Sequence, residues 1–264
     1  MMLHIGTSGF SYDDWVGPFY PKGLPKRAYL RFYAQKFSAC ELNFTYYRIP
    51  DARTLRAMSA KTPDRFLFTL KANREMTHER EDPEPAFEKF VAALDPLIQA
   101  RKLGCILVQF PWSFKNTPQN RDYLKLCRER LEGLPAVVEF RNRGWIVDET
   151  FELLRELDLG FCCVDQPRFR SLIPPIAETT SKVAYLRFHG RNAAKWWKHD
   201  RAWERYDYTY SKEELQEWVP KIQELESEAE DTYIFANNHH QAQAVDTARQ
   251  LRMLLANPEA EFKK

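Results

Sequence analysis

The sequence predicts an α/β fold, a single-domain (β/α)8 TIM barrel over residues 1–264, and three observations lead to it. Eight short apolar segments recur along the chain. About seven helical stretches lie between them, read from apolar spacing and cap residues. Polar residues stand at or just past the C-terminal end of every apolar segment, where barrels of this kind carry their active sites. A doubly wound open sheet is the runner-up, but it usually has fewer strands and often a Gly-rich first turn, which this chain lacks.

The first strand is expected over residues 3–6, breaking at Gly6-Thr7-Ser8-Gly9, a loop where backbone N–H groups can approach a ligand. Residues 12–25 are rich in Pro, Gly and aromatic side chains and read as an ordered loop over one end of the fold. Tyr29, Leu30, Tyr33 and Phe37 give residues 27–37 a helical spacing. The second strand, 39–43, alternates Cys40 and Leu42 against Glu41 and Asn43. Asp51 is placed to cap a helix through residue 61.

In the third strand, 66–71, Thr69 and Lys71 face inward. A polar loop with Met76-Thr77-His78 leads to a helix over 82–99. The fourth strand, 104–109, is stopped by Pro111 and followed by a helix near 120–131. The fifth, 136–140, sets Glu139 and Arg141 opposite Val138 and Phe140, and a helix over 148–157 follows. The sixth strand, 161–165, leads into an irregular crossover over 166–182 that carries three prolines and no periodicity.

The seventh strand, Tyr185-Leu186-Arg187-Phe188-His189, puts Tyr185, Arg187 and His189 on one face. An arginine and an imidazole buried without partners would cost several kcal/mol, so partners are expected from other strands. A long loop over 192–210 follows, and Ser211 with Glu214 forms a capping box for a helix through 228. The eighth strand is 232–236 and the last helix 241–255.

With 44% apolar residues, 29% charged residues and a net charge of +2, the composition is that of an ordinary globular chain. It gives no sign of a dedicated nucleic-acid or membrane surface. Five cysteines without a C-x-x-C pair point to a reducing compartment. No signal peptide and no run of about 20 apolar residues is visible, so a cytoplasmic location is expected. No G-x-G-x-x-G, Walker A, G-x-S-x-G or H-E-x-x-H pattern occurs. Oligomeric state is not legible.

The strand-end residues form the candidate site. Glu41, Glu139, Asp165 and His189 are the candidates for proton transfer. Ser8, Asn43, Lys71, Gln109, Arg141, Arg187, Arg191 and Asn237 are the candidates for substrate contact. Such groups could merely satisfy one another as a balanced ionic lid, but a network of that kind is a poor route to stability.

Several chemistries could use this ring. Cations holding a small anionic substrate, phosphate- or carboxylate-bearing, while a carboxylate or His189 moves a proton is the leading one. A divalent metal on Glu41, Glu139, Asp165 and His189 is the weaker cofactor option, because Lys71, Arg141 and Arg187 compete for the same carboxylates. Glycoside hydrolysis by paired carboxylates meets the same surplus of cations. The alternative from another class is a nucleic-acid-binding or nuclease protein that uses Lys195, Trp196, Trp197, Lys198, Arg201 and Trp203.

Beyond these readings, the chain resembles the YecE-like proteins, a family of TIM barrels of unknown function. The resemblance rests on Gly6-Thr7-Ser8-Gly9-Phe10 with Tyr12, Trp15, Gly17 and Phe19-Tyr20-Pro21. It continues through Glu41-Leu42-Asn43-Phe44-Thr45-Tyr46-Tyr47 with Pro50, Lys71, Thr77-His78 and Gln109-Phe110-Pro111. It also includes Glu139-Phe140-Arg141 with Trp145, Asp165, Tyr185 through Arg191, and Phe235-Ala236-Asn237-Asn238. Phe10 replaces a more frequent Trp and Trp112 a frequent second Pro. The resemblance implies His78 as a further site residue and supplies no reaction. The expected function is therefore that of a barrel enzyme, a hydrolase, lyase or isomerase, acting on a small anion.

Overall fold

Eight parallel strands pair in sequence order, and β8 returns to pair with β1, closing the barrel. The computed structural model describes residues 2–256, so residues 1 and 257–264 of the expected domain lie outside the described residues. The chain runs β1 (Met2–Ser8), α1 (Tyr29–Tyr33), β2 (Ala39–Leu42), α2 (Phe44–Tyr47), α3 (Ala52–Ser59) and β3 (Leu67–Lys71). It continues through α4 (Glu84–Gln99), β4 (Leu103–Gln109), α5 (Pro118–Arg130), β5 (Ala136–Glu139), α6 (Asp148–Glu156) and β6 (Gly160–Asp165). The last part is β7 (Val183–Phe188), α7 (Lys212–Gln216), α8 (Val219–Glu228), β8 (Asp231–Ala236) and α9 (Gln243–Ala256).

The strands form where apolar and β-branched residues run for four to seven positions, with both faces buried as in an all-parallel sheet. Helix starts follow their cap residues: Asp51 accepts from the Arg53 N–H, and Thr117 from that of Asn120 with Pro118 as the first helical residue. Ser211 and Glu214 make the reciprocal capping box. The helix that this box opens does not run unbroken to residue 228. Pro220 has no N–H to donate to residue 216, and the chain restarts as α8 after Trp218.

Two other sequence expectations change. β1 does not stop at Gly6: Thr7 and Ser8 pair with Cys40 and Glu41 of β2, which makes them strand residues. The helix expected over 27–37 shortens to a 3-10 turn, Lys26–Ala28, and α1. The crossover over 166–182 is irregular, as its prolines require. No helix among the described residues is long and apolar enough to cross a membrane.

Side chains fill the bore below the mouth. Tyr185, Tyr233 and Phe235 pack against one another, with ring centres 5.4 to 6.3 Å apart. Gly104 makes this possible, because a Cβ there would lie 2.9 Å from the Tyr233 hydroxyl oxygen. The bore is a packed core, and the polar residues gather at the strand C-termini above it.

Candidate functional site

The site is built on the alternation of β7. Leu186 and Phe188 face the helical layer, where Phe188 meets Tyr210 and Trp218 edge-on at 5.4 and 5.7 Å. Tyr185 and Arg187 therefore face the bore. Arg187 is 2% exposed and bridges two carboxylates: Nη1 donates to Glu139 Oε2 and Nη2 to Glu41 Oε1, both at 2.6 Å. The other Glu41 oxygen accepts from the Tyr185 hydroxyl at 2.7 Å, and Tyr185 also meets Thr69 Oγ1 at 2.9 Å. The other Glu139 oxygen meets Arg141 Nη2 at 2.8 Å and His189 Nε2 at 3.2 Å.

These partners settle the charge states. Burial alone would raise the Glu139 pKa, but Arg141, Arg187 and His189 outweigh it and hold the carboxyl well below its usual range. Burial would likewise discharge Arg187, but Glu41 and Glu139 more than compensate. His189 is pushed down to about 3 by burial and then by Arg141, so its ring is neutral. With Nε2 donating to Glu139, Nδ1 accepts from the Asn237 amide at 3.0 Å, which fixes the tautomer.

Above this network opens a cavity of about 480 Å³. Lys71, Arg141, Arg187, Asn43 and Asn237 supply its polar wall, and Phe10, Tyr12, Phe44, Tyr46, Tyr47 and Tyr206 its aromatic wall. Glu41 and Glu139 balance Arg187 and Arg141 in charge, which leaves Lys71 over. No ion pair holds Lys71 among the described residues; its Nζ stands 4.2 Å from the centre of the Tyr46 ring. Burial first and the Arg187 cation second lower its pKa to about 7. His78 meets the edge of Tyr46 with ring centres 4.9 Å apart, takes a hydrogen bond with Thr77 at Nδ1, and is lowered to about 4 by burial and by Lys71.

The structure thus brings together Glu41, Glu139, His189, Lys71, Arg141, Arg187, Asn237 and Asn43, with His78 at their edge. Ser8 is buried in register with Glu41, and Gln109 in register with Glu139 donates its amide to the Phe110 carbonyl at 2.6 Å. Neither lines the cavity. Three buried polar atoms in this region have no protein partner: Ser8 Oγ, Asn43 Oδ1 and Arg187 Nε.

Asp165 and Arg191 do not join the ring, which corrects the sequence expectation for both. Asp165 is in register with the outward residue Phe188, so it points into the helical layer. There it accepts from Tyr210 at 2.6 Å, from Trp218 Nε1 at 2.7 Å and from Arg191 Nη2 at 2.7 Å. Arg191 would share the face of Arg187 and His189 if the strand continued. Instead Gly190 turns the chain with φ +88°, and Arg191 swings out to Asp165 and Glu217.

The donor set does not suit a metal. Guanidinium and hydroxyl groups occupy the oxygens of Glu41 and Glu139, and no cluster of three or more His, Cys, Asp or Glu side chains that could hold an ion occurs among the described residues. In the long loop after β7, Trp196 is buried and Lys195 pairs with Glu204, while Trp197 stays half exposed. The aromatic wall was missed from sequence because it comes from short segments between strands, α2 among them, that lie outside the strand alternation. Its signal was the concentration of Tyr and Phe at 10–12, 44–47 and 206.

Comparison with known proteins matches residues 4–264 to the family described as protein of unknown function DUF72. The UPF0759 protein YunF of Bacillus subtilis is 30% identical over 96% of this chain and 95% of its own length. A DUF72 family protein of Thermotoga maritima superposes with a TM-score of 0.89 at 40% identity, covering 97% of this chain and all of that one. A DUF72 family protein of Enterococcus faecalis does so with 0.85 at 27% identity, covering 97% and 96%. By its sequence over almost the whole length and by its closed barrel, this chain belongs to the DUF72 family.

Proposed function

We propose that the protein is an enzyme that binds a small phosphate- or carboxylate-bearing molecule at the mouth and transforms it by acid/base chemistry. One observation carries the reading: Lys71 is a cation in the cavity wall with no carboxylate of its own, beside a network whose other charges cancel. Lys71 is half-buried, and a cation partly withdrawn from water without an ion-pair partner is costly; a bound anion would offset that cost. Arg141 gives one nitrogen to Glu139 and reaches the cavity wall, and Arg187 Nε is a buried donor without a partner. Both suit an anionic group.

Lys71 is also the group matched to proton transfer at neutral pH, since its pKa of about 7 lies where an acid and its base coexist. Glu41 and Glu139, bound to guanidiniums, act as fixed counter-charges that orient Arg187 and Arg141. His189, neutral and held at both nitrogens, orients Asn237. The aromatic wall favours a substrate with a flat or apolar portion.

The test is binding of inorganic phosphate, pyruvate and a sugar phosphate, followed by thermal shift and calorimetry. Stabilisation by at least one of them, weakened about tenfold in Arg141→Gln, is expected from the loss of a charge-assisted hydrogen bond. Absence of any stabilisation in the wild type would sink the reading. The nucleic-acid reading has less support, because Trp196 is packed inside its loop and Lys195 is neutralised by Glu204.

A further inference from the structure

We propose that Lys71 is a covalent nucleophile, forming a Schiff base with an aldehyde or ketone that also carries a carboxylate or phosphate. The inference rests on the anion site proposed above and names the substrate class that site would serve. Its basis is geometric. Lys71 is the last residue of β3, at the mouth, and its primary amine lines the cavity.

The two carboxylates that could keep it an ammonium are used by other groups: Glu41 by Arg187 and Tyr185, Glu139 by Arg187, Arg141 and His189. Around the amine lie the face of Tyr46, the cations Arg187 and Arg141, and the carboxylates Glu139 and Glu41, whose opposing pull burial and the two guanidiniums outweigh. An amine enclosed beside other cations is the arrangement that activates a lysine toward carbonyl groups. A pKa of about 7 agrees with this, whereas an ordinary lysine keeps roughly one amine in a few thousand unprotonated at neutral pH.

Arg141 belongs to the same wall, so the anionic group can rest there while the carbonyl carbon meets Nζ. A purely structural lysine over Tyr46 would need neither the cavity nor the neighbouring guanidiniums.

The chemistry balances without an oxidant, reductant or cofactor. Nζ adds to the carbonyl carbon, forming the C–N bond, and one nitrogen proton passes to the carbonyl oxygen. The carbinolamine then loses that hydroxyl together with the second nitrogen proton as water, leaving the C=N bond. The protonated imine withdraws electrons from the adjacent carbon, which opens the way to proton abstraction or carbon–carbon cleavage there.

The test is reductive trapping on the full chain. Pyruvate, glyoxylate and glyceraldehyde 3-phosphate are each added with sodium borohydride, and the product is mapped by peptide mass spectrometry. Binding of inorganic phosphate is measured in parallel. The expected result is a single adduct on Lys71 with at least one probe, forming about tenfold or more faster than at any other lysine. Inorganic phosphate should suppress it, and Lys71→Arg, which keeps the charge but cannot form the imine, should abolish it. Lys71→Met serves if the arginine variant does not fold. Phosphate binding without any preferred adduct at Lys71 overturns the Schiff base and leaves the anion site standing. Failure of both phosphate binding and trapping overturns both.

Discussion

Arg187 on β7 reaches Glu41 on β2 across the barrel mouth, 146 residues away in sequence, with Nη2 and Oε1 2.6 Å apart. Its second nitrogen holds Glu139 of β5, so one guanidinium fastens three strands. Removing it would leave the buried Glu41 without a cation and Glu139 with Arg141 as its one remaining cation. Arg187→Met should therefore lower stability by about 3–5 kcal/mol, read from the denaturant midpoint. Neutralising both acids in the same chain (Glu41→Gln with Glu139→Gln) should restore part of that loss. A stability loss under about 1 kcal/mol for the single variant would contradict the buried network.

Lys71 makes stability depend on pH. Its pKa is lowered to about 7 in the fold from 10.5, so between those values the unfolded chain holds a proton that the folded chain does not. Unfolding free energy should then rise with pH across this window, by up to about 1.4 kcal/mol per unit from this residue. Lys71→Met should lose that slope and be at least as stable as the wild type near pH 6.5. Urea titrations at pH 6.5, 8 and 9.5 decide it.

Anion binding should drive proton uptake. A bound phosphate favours the ammonium form of Lys71, raising its pKa. Calorimetry near pH 8 in two buffers of different ionisation enthalpy should show protons entering the complex, and Lys71→Met should show none. Identical heats in both buffers for the wild type would exclude coupling at this lysine.

Asp165 and Arg191 should matter for folding and not for the cavity. Asp165→Asn weakens a buried pair and its Tyr210 and Trp218 contacts, and should cost about 2–4 kcal/mol. Phosphate affinity should stay within about twofold of wild type, because neither residue lines the cavity. A tenfold fall in affinity would mean that the outer cluster reaches the mouth after all.

The loop after β7 should not be a nucleic-acid surface. Trp197→Ala should leave single-stranded DNA retention unchanged at low and at physiological salt. Steep salt-dependent binding that falls in this variant would favour the alternative.

The barrel and most of the ring were legible because strand alternation is a strict rule. On β7 and β5 the apolar residues Leu186, Phe188, Val138 and Phe140 mark the outer face, so Arg187, Glu139 and Arg141 had to face inward. β6 offers no such mark. Phe161, Cys162, Cys163 and Val164 are apolar on both faces, and nothing in them says which way Asp165 points. Arg191 was lost for a different reason: a single glycine with positive φ ends the alternation one residue before it. The aromatic wall is assembled from α2 and from the connections after β1 and β7, whose meeting depends on the closed barrel.

Beneath the Arg187 bridge, the Tyr185 hydroxyl joins Glu41 to Thr69, and the rings of Tyr233 and Phe235 fill the space below. The chamber therefore stands on a floor of side chains tied together across three strands. Loss of this one hydroxyl would untie β2, β3 and β7 at a single point.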